Sequence, residues 1–192
     1  DFSVEDFAAL EPAPGLPTNI AHAVPKRQAE FLAGRWCAWK AQEQLGLVQV
    51  EIGVGSNRAP VWPDTVRGSI THTGPAEPGG LSVACCALAL AGDYRGLGID
   101  LENIMNKTMA EETSSLILGE QERARLSQQD ASWPYLVTLV FSAKESLFKA
   151  LYPAVGRYFD FLDAQLVAID VEAGKFSVEL KVAPAPSLPA GF

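Results

Sequence analysis

Residues 96–105 read "GLGIDLENIM", and this stretch decides how the chain is divided. Just ahead of it, "GDYRGL" (92–97) is a Gly-punctuated break of the kind that marks turns. Beyond the break, apolar Ile99 and Leu101 alternate with Asp100 and Glu102, a strand pattern with two carboxylates on one face. Two residues of strand rise put their Cβ atoms ~6.6–7 Å apart. Taken alone, such a pair fits a solvated strand face.

Working back towards the N-terminus, "PKRQAEFLAGRWCAWKAQEQLG" (25–46) has Pro at a permissive helix start, and Ala29, Leu32, Trp36 and Trp39 form one apolar stripe. Gly46 suits the position after the helix end. Arg27 and Arg35 point away from the stripe. "LVQVEI" (47–52) alternates like a strand, "GVGSNRAPVWPDTVRG" (53–68) is a loop, and "SITHT" and "LSVACCALA" are strands joined by the turn-rich "GPAEPGG" (74–80). Residues 1–24 read as an irregular strap rich in Pro, Ala and Gly.

Working forward, "GLGIDLE" is a strand and residues 107–129 are helical. Ser132 caps "WPYLVTLVFSAKESLFKALYP", with Pro134 in its first turn and Pro153 at its end. "QLVAID" and "KFSVELKV" form a hairpin turning at "VEAGK", followed by a Pro-rich tail. Each half thus offers a long helix plus strands. The expected fold is α+β, with pseudo-duplicated halves 1–95 and 96–192.

Composition narrows the function. A chain of 192 residues with 48% hydrophobic and 20% charged content is an ordinary globular protein. No apolar run approaches the ~20 residues of a membrane helix. Residues 1–25 lack a signal peptide's basic start and apolar centre, although the chain begins at Asp1 rather than Met. Three cysteines, Cys37, Cys85 and Cys86, have neither a disulfide framework nor a zinc spacing, which points to a reducing compartment, the cytoplasm. The net charge of −8 weighs against nucleic acid.

In the helix from 133, the polar residues Thr138, Ser142, Glu145 and Lys149 line up at spacings of four, three and four, a narrow polar stripe on an otherwise apolar helix. A bland reading is a solvated stripe with a weak Glu145–Lys149 pair. A functional reading sets the stripe beside the acidic strand, where three carboxylates and open water positions suit Mg²⁺.

"GIDLE" followed by "FSAKESLFKA" resembles the paired signature of the 4′-phosphopantetheinyl transferases, of the larger surfactin- and enterobactin-synthetase type. "PKRQAEFLAGRWCA" is similar to that family's N-terminal helix, and "RAPVWPDTVRGSITHTG" to its loop leading to a Ser/Thr-His pair. The family often has Trp where this chain has Phe141, an apolar exchange. The resemblance implies a pseudo-two-fold fold with the active site between the halves. It also implies transfer of the 4′-phosphopantetheine of coenzyme A to a serine of an apo acyl or peptidyl carrier protein, releasing 3′,5′-ADP.

By the same resemblance, Asp100, Glu102 and Glu145 would bind Mg²⁺, with Mn²⁺ able to substitute. Glu145 would be the base for the serine, and Lys149 would stabilise phosphate charge or protonate the leaving group. His72 would contact phosphate oxygens together with Thr71. Arg27, Arg35 and Arg58 would surround the 3′-phosphate and adenine, with Lys144 at the same end. The implied enzyme is a cytoplasmic monomer serving fatty-acid, siderophore or peptide-synthetase carriers, without nucleic-acid or membrane partners. Trp36, Trp39 and Trp62 read as core. Two rivals are a metal-dependent phosphohydrolase or nuclease, and a non-catalytic module that binds coenzyme A or a carrier protein.

Overall fold

The computed structural model describes residues 1–3, 6, 16–75, 80–183 and 191. The middle of the expected N-terminal strap (4–5 and 7–15), the centre of the 74–80 turn and nearly all of the tail beyond 183 lie outside the described residues. The chain divides into two compact units, Asp1–Asn103 and Ile104–Phe192. The division comes later than the expected 95/96 boundary, because the acidic segment is tied to the first unit. The backbone N–H groups of Ile99 and Leu101 donate to the hydroxyls of Ser69 and Thr71, each at 3.1 Å. Asn103 Nδ2 donates to the Gly74 carbonyl at 2.9 Å.

In the first unit, a helical turn α1 (Thr18–Ala21) precedes α2 (Pro25–Gln44). A two-residue ribbon pairs β1 (Gly53–Val54) with β2 (Pro60–Val61), and an antiparallel hairpin pairs β3 (Val66–Thr73) with β4 (Val83–Leu90). Phe2 bridges to Ser82, giving the N-terminus an order the sequence did not suggest. Helix α2 lies on the hairpin through small residues. Ala29 and Ala33 pack with Phe2 and Ala84. A Cβ on Gly34 would come within 2.8 Å of Ile70 Cγ2, so glycine is what allows the close approach. Trp62 lies against Gly68 of β3, where a Cβ would stand 2.5 Å from the indole ring.

Several local expectations are corrected. Trp36 and Trp39 are 45% and 39% exposed, and the buried face of α2 is instead Ala29, Phe31, Leu32, Ala33, Gly34, Ala38 and Gln42. "LVQVEI" forms no strand. The Gln42 side chain takes both backbone groups of Val50, accepting from its N–H at 2.9 Å and donating to its carbonyl at 3.0 Å. One amide thus does the work of a neighbouring strand. "GLGIDLE" is likewise outside any sheet ladder, since Ser69 and Thr71 meet its N–H groups through hydroxyls.

In the second unit, α3 (Lys107–Ile117) and α4 (Glu120–Leu126) precede the long α5 (Trp133–Val155). An antiparallel hairpin of β5 (Ala164–Asp170) and β6 (Lys175–Leu180) follows. The main core gathers Leu136, Val137 and Val140 of α5 with Ala110, Ile117, Leu126 and Leu166. A second cluster joins Phe159, Ala164 and Leu180 to Leu147, Phe148 and Leu151. Ser132 sits at the N-cap of α5 but makes no side-chain capping bond. Pro153 stays inside α5, and the helix ends at Gly156, whose φ of 68° closes the last turn. No described helix is long and apolar enough to cross a membrane.

Candidate active site

Strand alternation in β3 sends its side chains two ways. Ile70 faces α2, and His72, on the same face, meets Arg27 of that helix. Ser69 and Thr71 face the segment 99–101. The α2 side opens into a cavity whose wall includes Arg27, Glu30, Arg35, Arg58 and His72. The fold therefore brings together four sequence-predicted residues that are far apart along the chain.

Arg27 Nη1 lies 3.0 Å from His72 Nε2 and 3.3 Å from Glu30 Oε2. An arginine nitrogen has no acceptor capacity, so it donates to Nε2 and leaves the ring proton on Nδ1. That Nδ1 stands 3.7 Å from the same Glu30 oxygen. Arg35 donates to the Gly53 carbonyl at 3.1 Å and stacks 4.6 Å over the Phe31 ring. Burial lowers its pKa from the usual arginine range. Its Nε is buried and has no hydrogen-bond partner among the described residues. Arg58 follows Asn57 through a left-handed turn, with φ of 64° and 53°, a conformation uncommon for side chains other than glycine.

Glu30 is the residue that sequence reasoning missed. Its signal was the helical spacing from Lys26 and Arg27, which puts all three on neighbouring positions of α2.

The acidic segment is positioned by the other face of β3. Thr71 Oγ1 accepts from Leu101 N–H and donates to Asp100 Oδ1 at 3.3 Å. Thr71 is 4% exposed and is not among the residues of the basic cavity. Its hydroxyl is engaged by the acidic segment, through Asp100 and the Leu101 N–H. Asp100 is half-buried and Glu102 exposed.

On α5, Glu145 and Lys149 are both half-buried and one turn apart. Glu145 lines a groove with Phe148, Tyr158, Phe159, Asp160 and Phe161. The expected polar stripe is interrupted at its start, because Thr138 is 5% exposed. Its hydroxyl accepts from Met105 N–H at 2.9 Å and donates to the Pro134 carbonyl at 2.7 Å. Phe141 packs on Phe161 with ring centroids 5.4 Å apart.

Lys144 corrects a sequence expectation outright. It is 2% exposed, and its Nζ donates to the carbonyls of Ile117 and Phe161 at 2.8 and 2.9 Å and to Glu122 at 2.8 Å. An ammonium has three donors, and all three are spent inside the second unit rather than on a ligand. Burial lowers its pKa, with Glu122 pulling the other way. Glu122 also accepts from the N–H groups of Gly119 at 2.8 Å and Leu166 at 2.7 Å.

The three expected metal ligands divide between the units, Asp100 and Glu102 in the first and Glu145 in the second. Among the described residues there is no group of three or more His, Cys, Asp or Glu side chains arranged to hold a metal. As donors, these carboxylates are hard oxygen ligands of the kind magnesium prefers.

Residues 16–77 match the 4′-phosphopantetheinyl transferase N-terminal domain, and residues 96–187 match the 4′-phosphopantetheinyl transferase superfamily. The chain is 39% identical over 173 residues to 4′-phosphopantetheinyl transferase Svp of Streptomyces mobaraensis, covering 88% of this chain and 65% of that protein. It is 40% identical over 132 residues to enterobactin synthase component D of Salmonella typhi, covering 69% and 51%. With 4′-phosphopantetheinyl transferase Npt of Nocardia iowensis it is 34% identical over 155 residues, covering 81% and 65%. The chain thus spans between half and two thirds of the length of these curated relatives. With its two halves matched in order and its α+β units in place, the chain belongs to the 4′-phosphopantetheinyl transferase superfamily.

Proposed function

We propose that the chain transfers the 4′-phosphopantetheine arm of coenzyme A to a serine of an apo acyl or peptidyl carrier protein and releases 3′,5′-ADP. The observation that carries this reading is the gathering of Arg27, Arg35, Arg58 and His72 around one cavity, in a chain of this family. Guanidinium groups grip phosphate at two points through their planar forks. A cavity with three of them suits the phosphorylated nucleotide end of coenzyme A.

In the reaction, the serine Oγ attacks the β-phosphorus, the bond from that phosphorus to the bridging oxygen breaks, and 3′,5′-ADP departs with the electron pair. A neutral hydroxyl is a weak nucleophile, so a base must take its proton. Glu145 takes that role, directly or through one water. Lys149, one turn along α5, sets its ammonium against charge on the phosphate or hands a proton to the leaving group. Asp100, Glu102 and Glu145 would hold Mg²⁺, or Mn²⁺ in its place, and Thr71 fixes the Asp100 carboxylate for that purpose. When bound, the ion neutralises charge that builds on the pyrophosphate oxygens.

The likeness to enterobactin synthase component D supports a carrier of siderophore-synthetase type. We expect a cytoplasmic monomer that docks its carrier near the exposed Ile104, Met109 and Leu116. The test is mass spectrometry of an apo carrier protein mixed with this chain, coenzyme A and Mg²⁺. The reading predicts a pantetheinyl mass shift that Glu145→Gln abolishes while coenzyme A still binds. Binding without a shift on fatty-acid, polyketide and peptide-synthetase carriers alike would overturn it in favour of a binding module.

A further inference from the structure

Glu30 is the only acid among the described residues that line the basic cavity. A carboxylate among three arginines opposes phosphate binding in the cavity, because it repels the ligand. Its surroundings give it another task. Its side chain is only 12% exposed, so it is turned towards its neighbours more than towards solvent. One oxygen, Oε2, stands 3.3 Å from Arg27 Nη1 and 3.7 Å from His72 Nδ1, and Oε1 stands 4.0 Å from Lys26 Nζ. Arg27 Nη1 in turn bonds His72 Nε2 at 3.0 Å. The carboxylate, the guanidinium and the imidazole therefore form a closed triangle.

We propose that Glu30 is a positioning residue for coenzyme A. It fixes the Arg27 guanidinium by one nitrogen, the same nitrogen that meets the His72 ring, so that the other Arg27 N–H groups are presented to a phosphate. This rests on the reading of the cavity as the coenzyme A site. A flexible arginine must be ordered when it binds, and that cost weakens affinity. Glu30 orders it beforehand and leaves the cavity's other cations, Arg35 and Arg58, in excess of its single negative charge.

The experiment measures KM for coenzyme A, kcat and thermal stability for Glu30→Ala and Glu30→Gln, beside Arg27→Ala and His72→Ala. Glu30→Ala should raise KM about tenfold, the scale of one charge-assisted hydrogen bond, with kcat changed less than about twofold. Glu30→Gln keeps a carbonyl acceptor for Arg27 and should restore most of the affinity. The proposal is overturned by an unchanged KM in Glu30→Ala, by a lower KM in both variants, or by parallel losses of kcat and stability without a KM effect. If Arg27→Ala and His72→Ala leave KM unchanged, the cavity reading fails first and takes this inference with it. If those two raise KM and Glu30→Ala does not, only the role of Glu30 falls.

Discussion

Replacing Lys144 by Met tests the reassignment of that lysine from ligand contact to internal support. Methionine keeps most of the side-chain volume, so the change removes charge and hydrogen bonds while opening little cavity. Three donors are lost at once, to the Ile117 and Phe161 carbonyls and to Glu122. Glu122 keeps the Gly119 and Leu166 N–H groups but becomes a buried carboxylate without its cation. Removing one partner of a buried pair costs about 3–5 kcal/mol. For a chain of this size, that corresponds to a melting temperature lower by about 6–20 °C.

Thermal and urea unfolding followed by circular dichroism read the effect directly. The double variant Lys144→Met/Glu122→Leu should regain only part of the loss, because the Gly119 and Leu166 N–H groups then lose their acceptor. A loss below about 1 kcal/mol, together with weakened coenzyme A binding at normal stability, would refute the structural assignment and return Lys144 to the ligand.

Two further outcomes follow from the first unit. Cys85 is exposed, whereas burial pushes the Cys86 thiol up to about 12. At pH 8 the thiolate of Cys86 is then far scarcer than that of an ordinary cysteine. Iodoacetamide followed by peptide mapping should modify Cys85 long before Cys86, with Cys86 labelling rising as pH climbs; equal labelling at pH 8 would contradict the burial argument. Thr71→Val removes the hydroxyl that holds Leu101 N–H and Asp100, a loss of about 1–3 kcal/mol for the stranded amide. The Mg²⁺ concentration needed for half-maximal activity should rise, and Thr71→Ser should restore it. An unchanged Mg²⁺ requirement would separate Thr71 from the acids.

Helices α2 and α5 and both long hairpins were legible in the sequence because their apolar spacing and turn residues point one way. What escaped was set by single side chains. The alternation in "LVQVEI" is that of a strand, but one buried glutamine, Gln42, satisfies Val50 and no ladder forms. Trp36 and Trp39 fit a helical stripe by spacing, yet the interior of the unit takes alanines and Gly34, whose small size lets α2 approach β3. Arg27, Arg35, Arg58 and His72 came from the family resemblance, and the fold brings them to one cavity. Glu30 was overlooked because an acid beside two basic residues on a helix reads as an ordinary surface pair. Lys144 misled for the opposite reason, since nothing local to "SAKES" reveals that Glu122, far back in the chain, waits for it.

The catalytic reading turns on whether Asp100, Glu102 and Glu145 serve one ion, and Mn²⁺ binding followed by electron paramagnetic resonance tests this without relying on turnover. With coenzyme A present, the account predicts one tightly held Mn²⁺ per chain, weakened by Asp100→Asn, by Glu102→Gln and by Glu145→Gln alike. Undiminished Mn²⁺ affinity in Glu145→Gln, with the other two variants impaired, would contradict a shared site and remove the α5 carboxylate from the metal.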